Sequence, residues 1–147
     1  MKPYFLAFFL LFSFSLSAQK RIYLDKNMTE VDSISGYEFY LEVLTQKDGL
    51  IYLKKFKKDG NPVSQGAFSR DAQTFALLEE GVHRYFYENR KPWYQVEFKN
   101  GKREGMLASW YPSGASKRVE YFKNDASAGG ECFGEDGKPI AFTPFWQ

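Results

Sequence analysis

The chain has 147 residues, 19% of them aromatic, with 20 basic and 18 acidic side chains and a formal net charge of +2. That length fits one modest domain, and the near-neutral balance argues against nucleic acid as a main partner, because phosphate binding needs a concentrated basic face. The only cysteine is Cys132, so no intramolecular disulfide can form.

The amino terminus reads as a targeting segment. Lys2 precedes an apolar run from Tyr4 to Leu16, interrupted by Ser13 and Ser15 and followed by the small residues Ser17 and Ala18. The run is shorter than the ~20 residues needed to span a bilayer, so residues 1–18 are expected to be a cleaved secretory signal peptide. The remainder is then expected to be secreted, to periplasm or medium, without stable membrane insertion. Residues 1–18 hold six of the 28 Phe, Tyr and Trp residues, which leaves 22 in the other 129 positions. Such density suits a thin sheet, where rings bury much area and favour strands.

Residues 19–68 read as an amino-terminal β-hairpin region. Arg21 to Leu24 is a short strand candidate. Tyr37 to Leu44 alternates, placing Tyr37, Phe39, Leu41 and Val43 on one face. Lys47-Asp48-Gly49 turns into a strand from Leu50 to Phe56, and Lys58-Asp59-Gly60-Asn61-Pro62 turns again into Val63 to Phe68. Asp-Gly between aromatic-rich runs is a strong hairpin signal, because Gly accepts positive φ without steric cost. The local excess of Lys54, Lys55, Lys57 and Lys58 reads as a solvated strand face. Residues 69–80 break the pattern and form a connecting loop or a short helix. Asp71 is placed to cap a helix from Ala72 to Glu80, with Phe75, Leu77 and Leu78 partly buried.

From residue 81 the chain becomes periodic. Gly81 is answered by Gly105 and then Gly129, Phe86-Tyr87 by Trp110-Tyr111, and Phe98-Lys99-Asn100 by Phe122-Lys123-Asn124, at 24-residue intervals throughout. A fixed period of this size marks repeats whose units need neighbours to cover their apolar faces. The units run 81–104, 105–128 and a partial 129–147 that caps the array. Each of the first two is a hairpin: Val82 to Tyr87 with Pro92 to Lys99, then Met106 to Tyr111 with Lys117 to Lys123. Side by side, Phe86, Val96, Phe98, Trp110, Val119 and Phe122 are expected to share one apolar layer.

These residues carry a resemblance. The stretch Tyr85-Phe86-Tyr87-Glu88-Asn89, followed by Glu97-Phe98-Lys99-Asn100-Gly101-Lys102-Arg103-Glu104-Gly105, resembles the variant MORN repeat of the YwqK-like antitoxin family. The second copy, from Trp110-Tyr111-Pro112-Ser113-Gly114 to Tyr121-Phe122-Lys123-Asn124, is similar. The ending Cys132-Phe133-Gly134-Glu135-Asp136-Gly137-Lys138-Pro139, with Thr143-Pro144-Phe145, also resembles a segment of envelope proteins in which such repeats precede a TonB-type domain. The resemblance implies stacked hairpins and an envelope setting. Arg90 and Asp125 stand where the repeat usually has Gly. Positive φ there costs a non-Gly residue about 1 kcal/mol, and Asp bears it better than Arg, so a different turn type is expected at Arg90.

The chain carries few residues suited to catalysis. His83 is the only histidine and is expected to be a surface or half-buried packing residue rather than a metal ligand. Gly-x-Ser-x-Gly, Gly-x-Gly-x-x-Gly and phosphate-loop motifs do not occur. No catalytic residue, metal or cofactor is therefore expected. The positive signal is aromatic: Tyr85, Tyr87, Trp93, Tyr94, Tyr111 and Tyr121 exceed what a thin sheet buries on one side, which suggests a binding face. If the amino-terminal hairpins cover that face, no patch is left. The sequence thus predicts an exported, all-β, non-catalytic protein of repeated antiparallel hairpins in one elongated, twisted sheet. Its expected role is protein–protein interaction or scaffolding with an envelope protein. Carbohydrate or peptidoglycan binding is the alternative, and a hydrolase built on His83 a remote one.

Overall fold

The structure is a computed structural model that describes residues 20–32, 36–74 and 76–146. The expected signal peptide at 1–18 lies outside the described residues, as does Phe75. Ten strands form a single open sheet: β1 (Arg21–Leu24), β2 (Phe39–Lys47), β3 (Leu50–Lys57), β4 (Pro62–Arg70), β5 (Leu77–Phe86), β6 (Pro92–Lys99), β7 (Lys102–Trp110), β8 (Ser116–Lys123), β9 (Ala126–Phe133) and β10 (Pro139–Ile140). Their order in the sheet is their order in the chain, and every neighbouring pair is antiparallel. The fold is therefore all-β, a meander of hairpins lying side by side.

Two kinds of turn alternate along the sheet. At one end the central residues of two-residue loops both take positive φ: Asp48 and Gly49 (53° and 77°), Asn100 and Gly101 (51° and 74°), Asn124 and Asp125 (48° and 69°). Such loops match the right-handed twist of the strands they join. At the other end a longer loop closes with paired backbone bonds, as in Tyr87 N–H to the Lys91 carbonyl and Arg90 N–H to the Tyr87 carbonyl (2.9 Å each). The same pair recurs at Lys57 and Asn61, at Tyr111 and Ala115, and at Gly134 and Lys138. The residue with positive φ in these loops is Gly60, Arg90, Gly114 or Gly137 (84°, 65°, 100°, 78°). Arg90 thus adopts the same turn as its glycine counterparts, contrary to expectation. The Asn89 side chain accepts from Lys91 N–H at 3.0 Å, and Arg90 Nε donates to Asn61 Oδ1 at 2.9 Å. These local bonds offset the strain of a non-glycine residue there.

The glycines of the 24-residue period have a shared cause. Gly81, Gly105 and Gly129 take φ of 67°, 104° and 95°, close to the places where the strand register shifts. A bulge with its first residue in the left-handed region favours glycine. Other bonds repeat at the same interval. Glu80 accepts from Asn100 N–H and Glu104 from Asn124 N–H (2.9 and 2.7 Å). The Tyr87 hydroxyl donates to the Trp110 carbonyl and that of Tyr111 to the Phe133 carbonyl (2.8 and 2.9 Å).

The described residues of 69–80 form no helix. Asp71 does cap, accepting from Gln73 and Thr74 N–H at 3.0 and 2.7 Å, but it closes a tight turn only. Strand β5 begins at Leu77, which is exposed, while Leu78 is half-buried. Pairing of Leu77 to Glu80 with Ala67 to Arg70 overrides the weak helical signal.

The central core is small: Val96, Leu107 and Phe122, with Tyr85, Tyr94, Phe98 and Phe145 packed against it. Val119 does not belong to it. Its neighbours Arg118 and Glu120 occupy the buried face, and successive residues of a strand point to opposite faces. Phe86 and Trp110 also lie outside that cluster, each following a register shift at a strand end. Leu107 supplies the layer instead. The amino-terminal hairpins extend the sheet in its own plane, so they do not cover a face. The cover comes from residues after β10.

Candidate binding face

Strand register decides which of the expected aromatic residues meet. Tyr85 on β5 stands opposite Tyr94 on β6, and their rings stack at 4.3 Å with 12° between planes. Trp93 approaches Tyr94 edge-on at 4.9 Å and lies 5.8 Å from Tyr87. Four of the six predicted residues therefore gather in one cluster. Tyr111 is one unit further along, held by its bond to Phe133, with the Lys117 ammonium 5.1 Å from its ring centre. Tyr121 is 53% exposed and alternates with Glu120 and Phe122, so it faces the other way.

Trp93 and Tyr94 are not exposed together. Trp93 is open to solvent, while Tyr94 is half-buried beneath Phe145 and Trp146, at 4.8 and 6.0 Å between ring centres. Burial holds the hydroxyls of Tyr85, Tyr87 and Tyr94 above the ordinary tyrosine range. They stay neutral donors at physiological pH.

The residues that cover this face were not foreseen. Glu120 is wholly buried, and its carboxylate accepts from the Ser127 hydroxyl at 2.6 Å and from Phe145 N–H at 2.9 Å. Arg118 is buried beside it and donates to the Thr143 hydroxyl at 3.1 Å. Arg103, ion-paired with Asp125 at 3.0 Å, lies against the rings of Phe122 and Trp146. The Asp125 carboxyl is held below its ordinary range, chiefly by the Arg103 N–H it accepts. Cys132 is buried, as a small apolar residue would be.

The same face continues over β2 to β5 as a shallow cavity of about 160 Å³, lined by Leu41, Leu53, Lys55, Phe68, His83 and Tyr85 among others. Desolvation keeps the Lys55 amine below its ordinary value. Its Nζ lies 4.5 Å from the Phe39 ring centre.

His83 corrects the expectation of a surface or half-buried residue. It is 3% exposed, lies between Phe68 and Phe98 (4.8 and 5.1 Å), and donates from Nε2 to the Ala67 carbonyl at 2.6 Å. Gly66 lets it in, because a Cβ there would sit 2.5 Å from the imidazole. Burial lowers the His83 pKa below 6.5, against the opposing pull of the Ala67 bond and the Glu79 carboxylate. The unfolded chain then takes up this proton first as pH falls, so stability is full above 6.5 and declines below it. Urea unfolding from pH 8 to 5 is expected to show that decline, with a slope of at most ~1.4 kcal/mol per pH unit from this group. His83→Gln should flatten it; an unchanged slope would place its origin elsewhere.

Among the described residues, no group of three or more His, Cys, Asp and Glu is placed to hold a metal ion. No family model, curated protein or solved structure matches this chain.

Proposed function

We propose that the chain is an exported, non-catalytic β-repeat protein of the variant MORN type, which binds or scaffolds another protein in a bacterial envelope. The observation that carries this reading is a single open sheet on which Tyr85, Tyr87, Trp93 and Tyr94 gather in one aromatic cluster. An extended one-layer sheet offers area and free edges rather than a deep pocket, which suits a macromolecular partner. The enclosed His83, bonded to a main-chain carbonyl, is poorly placed to activate a nucleophile. Sugar stacking is less well served, because Trp93 is the one open ring of the four and Tyr94 beside it lies under other rings.

The test is an affinity capture from envelope extract beside a glycan array, each with wild type and Trp93→Ala. A stoichiometric protein partner should be retained by wild type and lost on substitution of this exposed ring, with no glycan bound. Glycan binding that depends on Trp93, without a protein partner, would overturn the reading.

A further inference from the structure

The end of the chain crosses the sheet instead of joining it. At Thr143 the hydroxyl accepts from Arg118 (3.1 Å) and the carbonyl from the Cys132 thiol (3.8 Å). At Phe145 the backbone N–H donates to Glu120 (2.9 Å), while the ring packs on the Val96, Leu107 and Phe122 core with the Arg118 guanidinium 5.4 Å from its centre. Trp146 stands 5.7 Å from Phe122, and Arg103 lies 4.5 Å from the Trp146 ring centre. A stretch that forms no strand is thus gripped by sheet side chains, in the way a groove holds a peptide.

Two details mark this as recognition beyond packing. A fully buried carboxylate gives one oxygen to the Ser127 hydroxyl of the sheet and the other to a backbone N–H of the segment, and burying such a group is costly unless it is well bonded. The segment also makes no strand pairing of its own, and β10 just before it is joined to β9 by only two residue pairs, Pro139 with Phe133 and Ile140 with Cys132. Its seat is therefore built by β6 to β9, which do not need the segment to pair with one another.

We propose that the face from β6 to β9 is a binding site for a Thr-Pro-aromatic-aromatic peptide. The chain's own residues 143–146 fill it in cis, and the same segment of a second copy fills it in trans. The inference rests on the protein-binding reading and gives it a ligand. Tethering holds the segment near its seat at about millimolar effective concentration, so the closed form prevails in dilute solution. Exchange between copies reuses identical contacts, a low-cost route to association.

The test uses the full-length chain carrying both Phe145→Ala and Trp146→Ala, titrated with a fluorescent peptide Ala-Phe-Thr-Pro-Phe-Trp-Gln beside wild type. The opened chain should bind at least tenfold more tightly than wild type. Adding Arg103→Ala should weaken that binding several-fold, and a peptide with both terminal aromatics changed to Ala should not bind. Circular dichroism checks that the sheet survives. Should the double variant unfold, Trp146→Ala alone, which removes a ring already 40% exposed, should give an intermediate gain. A folded, opened chain that ignores the peptide, or binds the Ala peptide equally, overturns the inference. If that chain still retains an envelope partner, the wider reading stands; peptide binding without any envelope partner has the reverse meaning.

Discussion

Leu107→Ala is expected to be the most damaging single truncation in the molecule. Leu107 is 0% exposed and pairs with Val96 on one side and Glu120 on the other, at the centre of the small core. Removing a buried leucine to alanine costs about 2–5 kcal/mol, the larger values arising where the site cannot collapse. Backbone pairing on both sides holds β7 in place, so collapse is resisted here. Total stabilities are about 5–15 kcal/mol, so a large share of the fold depends on this one side chain. Urea unfolding should show that loss, with a melting temperature lower by about 10 °C or more. Val119→Ala, on the other face, should cost less than ~1 kcal/mol. Equal costs for the two would mean that the assignment of faces is wrong.

Glu120→Ala should rank next, for a different reason. Its carboxylate satisfies the Ser127 hydroxyl and the Phe145 N–H together. Truncation leaves the Phe145 N–H without its acceptor, and a donor left unsatisfied under cover costs about 1–3 kcal/mol, whereas the hydroxyl of the exposed Ser127 can turn to water. The expected loss is about 2 kcal/mol, accompanied by release of the segment around Phe145. Glu120→Gln keeps a carbonyl oxygen for the Phe145 N–H and offers an amide N–H to the Ser127 oxygen, so it should stay within ~1 kcal/mol of wild type. Hydrogen exchange at the Phe145 amide, measured beside urea unfolding, separates the two variants. Wild-type protection in Glu120→Ala would show that the carboxylate does not anchor the segment.

The hairpins were legible because turn chemistry and a 24-residue period agreed. Asp48-Gly49 and Asn100-Gly101 declare positive φ in their residue types, and Gly81, Gly105 and Gly129 repeat a backbone need. Strand parity in β8 was not legible. Lys117, Val119 and Tyr121 look like the inward set and Arg118 and Glu120 like the outward one, yet Arg118 and Glu120 are buried. What inverts the pattern is residues 143–146, distant in sequence, which supply partners for both charges. Local alternation carries no trace of such a partner, so the carboxylate could not be recognised as part of a seat. Tyr121 was placed on the binding face by aromatic number alone, which does not say which side of the sheet a ring takes. The helix expected near 71–80 failed because Asp71 is a good cap wherever it sits, and strand pairing with β4 decided what followed.

Most stabilising links in this ribbon join strands adjacent in sequence, so local loosening at one hairpin need not disturb another two units away. Residues 143–146 reach further than the single bonds that skip one strand, since they tie β6, β7, β8 and β9 crosswise through Tyr94, Arg103, Glu120 and Cys132. The brace makes the carboxy-terminal strands open together or not at all. The amino-terminal strands show no such brace among the described residues and are expected to yield one hairpin at a time, giving the ribbon a stiff half and a compliant half.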